Sequence, residues 1–155
     1  MSNSTPQMNQ NDAPTASASS SSTGAATPPA SDSPEDPLIM YVVIRQDLDW
    51  PRGAIVSQGS HACCAAIAEG LRANDEHTQN YLRPENLPHL RKCVLGAADL
   101  KALEKLGTKL TSAPPSTCPF YMWLEQPENI ATALASWPRP KSQIQKLFKG
   151  FKLFA

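Results

Sequence analysis

The sequence predicts an α/β fold: a single domain in which a mixed four-stranded sheet is flanked by helices on both faces. Three observations carry that expectation. "LIMYVVIRQ" (38–46) is a β-branched, aliphatic run with little alternation, the mark of a strand covered on both faces. The next segment, "RGAIVSQGSHACCAAIAEGL" (52–71), places Gly59, Ala62 and Ala66 at helical spacing, so a helix backbone can lie close against a sheet. Further on, strand-like and helix-like runs follow in the order β-α-(α)-β-α-β-β-α, which is how a layered α/β domain reads.

Each element has its own local reason. "DLDWPRG" is a turn, and Gly53 opens the small-residue helix. The polar stretch 75–83 is a short helix ended by Pro84 and Pro88. "RKCVLGAA" (91–98) is a second strand. In "DLKALEKLGTKL", Asp99 is the N-cap, and Leu100, Leu103, Leu106 and Leu110 share one face. Pro114 and Pro115 end that helix. "CPFYMWLEQ" (118–126) is the third strand and "NIATALASWP" (129–138) the fourth, closed by Pro138 and Pro140. A last amphipathic helix is expected on Ile144, Leu147, Phe148 and Phe151, with lysines around it. No internal repeat is visible.

Composition narrows the function classes. Residues 1–37 are Ser, Thr, Ala, Pro, Asn and Gln with almost nothing large and apolar, so they cannot offset chain entropy and are expected to be disordered. They lack the basic start and apolar run of a secretory signal and the arginines of a mitochondrial transit peptide. No segment approaches the roughly 18 apolar residues of a membrane span. The chain reads as soluble and cytoplasmic. The formal net charge is +0, but all 14 basic residues lie from Arg45 onward. Residues 38–155 are therefore about +4, compatible with a polyanion partner without demanding one.

Chemistry-bearing residues are few. Cys63, Cys64, Cys93 and Cys118 have no CxxC spacing, and they are expected to be buried reduced thiols. His61 stands alone in its helix, with Ser57 at i−4 and Gln58 at i−3. No second His or carboxylate lies one turn away, so neither a metal nor a cofactor is expected. A lone histidine is otherwise a core residue bonded to a neighbouring loop or a reacting group, and the spacing alone leaves both open.

The order of residues adds more. The strand "MYVVIRQDL" and the helix carrying "QGSHA" resemble the type II peptidyl-tRNA hydrolase family. Arg45, Asp47, Leu48, Gly53, Gln58, Ser60, His61 and Ala62 fall on its pattern without a gap, and the likeness runs through Thr132, Pro138 and "FKLF", over 38–154. "WLEQPENIATALASWPRP" looks closest to a eukaryotic branch, the peptidyl-tRNA hydrolase domain-containing proteins. Two departures stand out. The family's Lys-Gly-Lys falls on Arg52, Gly53 and Ala54, so Ala54 replaces its second lysine. Its Asp-Ala-Gly-Arg-Thr loop is replaced by "EQPEN", with Glu125 the stand-in for the aspartate unless the register slips onto Gln126.

The resemblance implies hydrolysis of the ester joining a peptide to the 3′ end of tRNA. It implies His61 as base, Glu125 as orienting carboxylate and Thr132 as a further catalytic residue. Arg52, Gln58, Ser60 and Asn129 are then substrate-binding residues, with Arg52 holding a phosphate near a helix N-terminus. Lys146 and Lys149 belong to five positive charges after Trp137 with no acid among them, a charge run suited to a tRNA backbone. The partner is peptidyl-tRNA or tRNA, with a homodimer one open arrangement. The competing reading is a catalytically silent domain that binds tRNA or a protein on the same fold.

Overall fold

The structure, a computed structural model, describes residues 36–155. The expected disordered tail lies outside the described residues except for Asp36 and Pro37. The elements run β1 (Leu38–Arg45), α1 (Arg52–Arg72), α2 (Glu76–Tyr81), a 3-10 turn (Pro84–His89), β2 (Lys92–Ala97) and α3 (Leu100–Thr111). They continue with β3 (Phe120–Glu125), β4 (Ile130–Ser136), β5 (Arg139–Pro140), α4 (Lys141–Ile144), a 3-10 turn (Gln145–Phe148) and β6 (Lys152–Leu153).

The strands lie in the order β3-β4-β1-β2-β6, with β5 paired to β1. β1 runs parallel to β2 and antiparallel to β4, so the sheet is mixed as expected. Its central position explains the missing alternation in "LIMYVVIR". Ile39, Tyr41 and Val43 enter the core under α3 and α4, while Met40, Val42 and Ile44 enter the core under α1. Helices therefore cover both faces.

Close approach of α1 depends on its small residues. A Cβ on Gly59 would come 2.7 Å from Ile44 Cδ1, and Ala62 and Ala66 are fully buried. α3 is capped by Asp99, whose Oδ1 accepts from the Ala102 amide at 2.7 Å. Its Leu103, Leu106 and Leu110 are buried, while Leu100 packs only partly.

Two features differ from the sequence expectation. Beside the four expected strands, β5 and β6 each contribute two residues, making six among the described residues. The single C-terminal helix is replaced by the four-residue α4, a 3-10 turn and β6. Phe148 stacks on Tyr41 with ring centroids 4.3 Å apart, and the chain then turns at Gly150, whose φ of 108° no helix allows. Lys152 and Leu153 return to pair with Gly96 and Leu95. Among the described residues, no helix is long and apolar enough to cross a membrane.

Candidate active site

His61 stands on the exposed rim of α1, not in the core. Its ring stacks on Trp123 of β3, with centroids 4.8 Å apart and planes 28° from parallel. Trp123 and Tyr121 alternate with Phe120 and Met122 along β3, so the first pair lies on the α1 side and the second on the α3 side. The indole Nε1 donates to Glu125 Oε2 at 2.7 Å. Glu125 thus fixes the ring that supports His61. Trp123 is the link between the two residues, and no hydrogen bond joins the carboxylate to the imidazole among the described residues.

Beneath this rim lies a buried polar pair. Thr132 is fully buried, and its Oγ1 donates to Gln58 Oε1 at 2.7 Å; Gln58 is 2% exposed. The register of β4 explains why Thr132 points that way. Trp123 pairs with Ala133 but Leu124 pairs with Ala131, leaving Thr132 as an extra residue in a bulge. The bulge turns Thr132 toward α1 beside Ala133, while Ala131 faces the other core. Thr132→Val should therefore cost about 1–3 kcal/mol, because Gln58 keeps a buried acceptor with no donor. Adding Gln58→Leu should recover much of that loss. Urea denaturation of both variants checks this, and equal loss in the double variant overturns it.

The remaining positions spread more widely. Ser60 is exposed, and its hydroxyl donates back to the Val56 carbonyl at 2.9 Å. Arg52 is the exposed first residue of α1 and sits, at about 100° per residue, on the opposite side of the helix from His61. Ala54 is seven residues before His61 and shares its face, about 10 Å along the axis. Asn129, at φ 55°, lies in the exposed β3–β4 turn, where its Oδ1 accepts from Gln126 Nε2 at 3.2 Å. Lys146 and Lys149 are exposed beside Phe148, on the α3 side of the sheet, so the fold does not bring them to His61.

The expectation of four buried thiols is corrected. Cys118 is buried and its thiol is pushed up to about 12 by burial, but Cys63 and Cys93 are half-buried and Cys64 is exposed. Cys64 points outward because successive helix positions diverge by about 100°, so only one of the adjacent pair can turn toward the sheet. Among the described residues, no three of His, Cys, Asp and Glu gather as a metal site would require.

The family profile described as Peptidyl-tRNA hydrolase PTH2 matches residues 38–154. The chain belongs to this family. Two curated relatives lie within the branch that the "WLEQPENIAT" segment suggests. The mouse protein named "Putative peptidyl-tRNA hydrolase PTRHD1" is 42% identical over 122 residues, covering 76% of this chain and 82% of its own. The human protein of the same name is 39% identical over the same length and shares.

In this PTH2 domain, two residues that sequence reasoning did not single out hold the site and its surroundings. One is Trp123, whose signal was an aromatic two positions before the charged Glu125 on an edge strand. The other is Arg139, flanked by two prolines, whose role depends on a distant partner. Arg45 is a matching family position with a clear structural task. Its guanidinium grips both Asp47 oxygens at 2.9 and 2.7 Å and donates to the Ala131 carbonyl at 3.0 Å. It ties the turn before α1 to the start of β4, and its hydrogen bonds hold the Asp47 carboxyl below its ordinary range.

Proposed function

We propose that this PTH2 domain hydrolyses the ester between a peptide and the 3′ end of tRNA. Its membership of the family over 38–154 carries the reading, and an exposed, ring-supported His61 in the family's helix supports it. His61 takes a proton from water, and the hydroxide attacks the ester carbonyl carbon. The tetrahedral intermediate collapses by breaking the bond to the ribose oxygen. That oxygen leaves with the proton held on the imidazolium, giving a peptide acid and a free tRNA 3′ hydroxyl. No metal or cofactor enters this scheme.

Glu125 acts through Trp123, as a positioning residue for His61. Thr132 does the same through Gln58, by fixing the helix side chain under the rim. Ser60 and Asn129 line the approach for the 3′ end, Arg52 meets the tRNA from the opposite side of α1, and the free amides of the α1 N-terminus favour its phosphates. Lys146 and Lys149, on the other face, meet the body of the tRNA. A cytoplasmic location belongs to this reading, and a homodimer is compatible with every element of the scheme.

Release of N-acyl-aminoacyl groups from tRNA by the purified protein tests the reading. Wild type should hydrolyse, and Ala54→Lys should raise the rate by about tenfold or more, below the roughly 10²-fold a well-placed oxyanion donor supplies. If neither protein hydrolyses while both bind tRNA, the silent-domain reading replaces this one.

A further inference from the structure

Trp123 lies on β3, the edge strand of the sheet, with Tyr121 tilted beside it at 6.4 Å and 38°. One face of the His61 ring rests on the indole, while the residue as a whole is exposed. The imidazole keeps exposed surface beyond its contact with the indole. Glu125 restrains the indole by accepting from its N–H at 2.7 Å. The result is a stacked pair of π-systems 28° from parallel, with the hydrogen-bonded indole on the strand side and the exposed imidazole outside it. Such a surface suits an unpaired nucleobase, since every base has a π-face and stacks without needing a specific hydrogen-bond pattern.

We propose that the His61–Trp123 stack is the floor of a nucleobase subsite, which takes the unpaired base at the 3′ end of tRNA on the outer face of His61. The proposal rests on the tRNA reading above and names the part of the substrate that this site grips. The geometry links the two. The terminal ribose carries the ester, so a base stacked on the imidazole face brings its own ribose to the imidazole edge, where the nitrogens meet water. Trp123 is then a positioning residue for His61 and part of the binding floor.

The test uses deacylated tRNA, so it does not depend on hydrolysis. Affinity is measured for intact tRNA and for the same tRNA lacking its 3′-terminal nucleotide. Removing that nucleotide should weaken wild-type binding by roughly 5- to 150-fold, the span of base–aromatic stacking. Trp123→Leu should bind intact tRNA about as weakly as wild type binds the truncated form and should lose the distinction between them. Trp123→Phe should keep most of it. The wild-type comparison stands even if a variant folds poorly. In the proton spectrum, the His61 ring signals should be displaced by the indole ring current and move again when the trinucleotide CCA is added. Equal wild-type affinity for both tRNAs overturns the subsite, as does a Trp123→Leu protein that folds and keeps the full distinction. Absence of all tRNA binding overturns it together with the functional reading. Subsite behaviour without hydrolysis removes only the catalytic scheme.

Discussion

His61→Ala should slow ester hydrolysis by roughly 10²-fold or more, the usual contribution of a positioned general base, while the domain stays folded. Two effects would accompany the change, and their sizes separate them. The side chain is exposed and donates no hydrogen bond among the described residues, so its loss orphans no buried group there. What goes is the stack on Trp123, which is worth about 0.5–1.5 kcal/mol when well packed and less at an exposed rim. A fall of a few degrees in melting temperature is therefore expected, far too little to empty the folded state. A core histidine would behave in the opposite way, with a loss of about 1–3 kcal/mol and no specific loss of rate. Single-turnover kinetics with saturating enzyme, alongside thermal denaturation, distinguishes the two. A rate within twofold of wild type would remove His61 from the mechanism.

The contrast between His61 and its neighbours shows where sequence reading reaches and where it stops. β1 and α1 are legible because each is dictated by residues close in the chain. A β-branched run with no polar face must be buried on both sides, and Gly59, Ala62 and Ala66 announce a helix laid close to a sheet. The Asp99 cap is legible for the same reason, since a cap is a matter of three residues. The C-terminal helix is not. Ile144, Leu147, Phe148 and Phe151 satisfy a helical period, but Phe148 is claimed by Tyr41 and Gly150 leaves the helical region. Apolar spacing cannot register that the sheet edge at Leu95 and Gly96 offers Lys152 and Leu153 a better partner.

The site divides along the same line. The family pattern in "QGSHA" draws attention to Gln58, Ser60 and His61 together, yet helical geometry sends Gln58 inward and His61 outward. The Gln58–Thr132 bond spans 74 residues and requires the bulge in β4, a register property that no local spacing encodes. Trp123 joins His61 to Glu125 through contacts between two separate elements. A carboxylate chosen by alignment proves to hold an indole, and only the pairing of β3 beside α1 reveals it.

Arg139→Met should destabilise the domain by roughly 3 kcal/mol, which for this size of domain corresponds to a fall of about 10 °C or more. Arg139 is 3% exposed and grips both oxygens of Asp75, with Nη2 at 2.9 Å from Oδ1 and Nη1 at 3.0 Å from Oδ2. It also donates to the carbonyls of Ser116 and Pro138, so it ties β5, α2 and the loop before β3 at one point. Asp75 meanwhile caps α2, accepting from the Thr78 amide at 2.8 Å and hydroxyl at 2.7 Å. Burial raises the Asp75 carboxyl, but the hydrogen bonds from Thr78 and Arg139 outweigh it and hold it below the ordinary 3.8. Removing the arginine leaves a half-partnered charge in a largely buried corner. The loss lies at the low end for a broken buried pair because Thr78 still donates to Asp75. Adding Asp75→Asn should restore most of the stability, since asparagine caps a helix without carrying the charge. The pH dependence follows in sign. A carboxyl lowered in the folded state stabilises above its unfolded value, and that contribution is lost as pH falls through the folded one. The stability gap between wild type and Arg139→Met should thus be full at neutral pH and shrink below about pH 4. A gap that is independent of pH, or a double variant no more stable than the single, would show that Arg139 acts by packing on Trp137, its guanidinium carbon 5.8 Å from that ring, and not through Asp75.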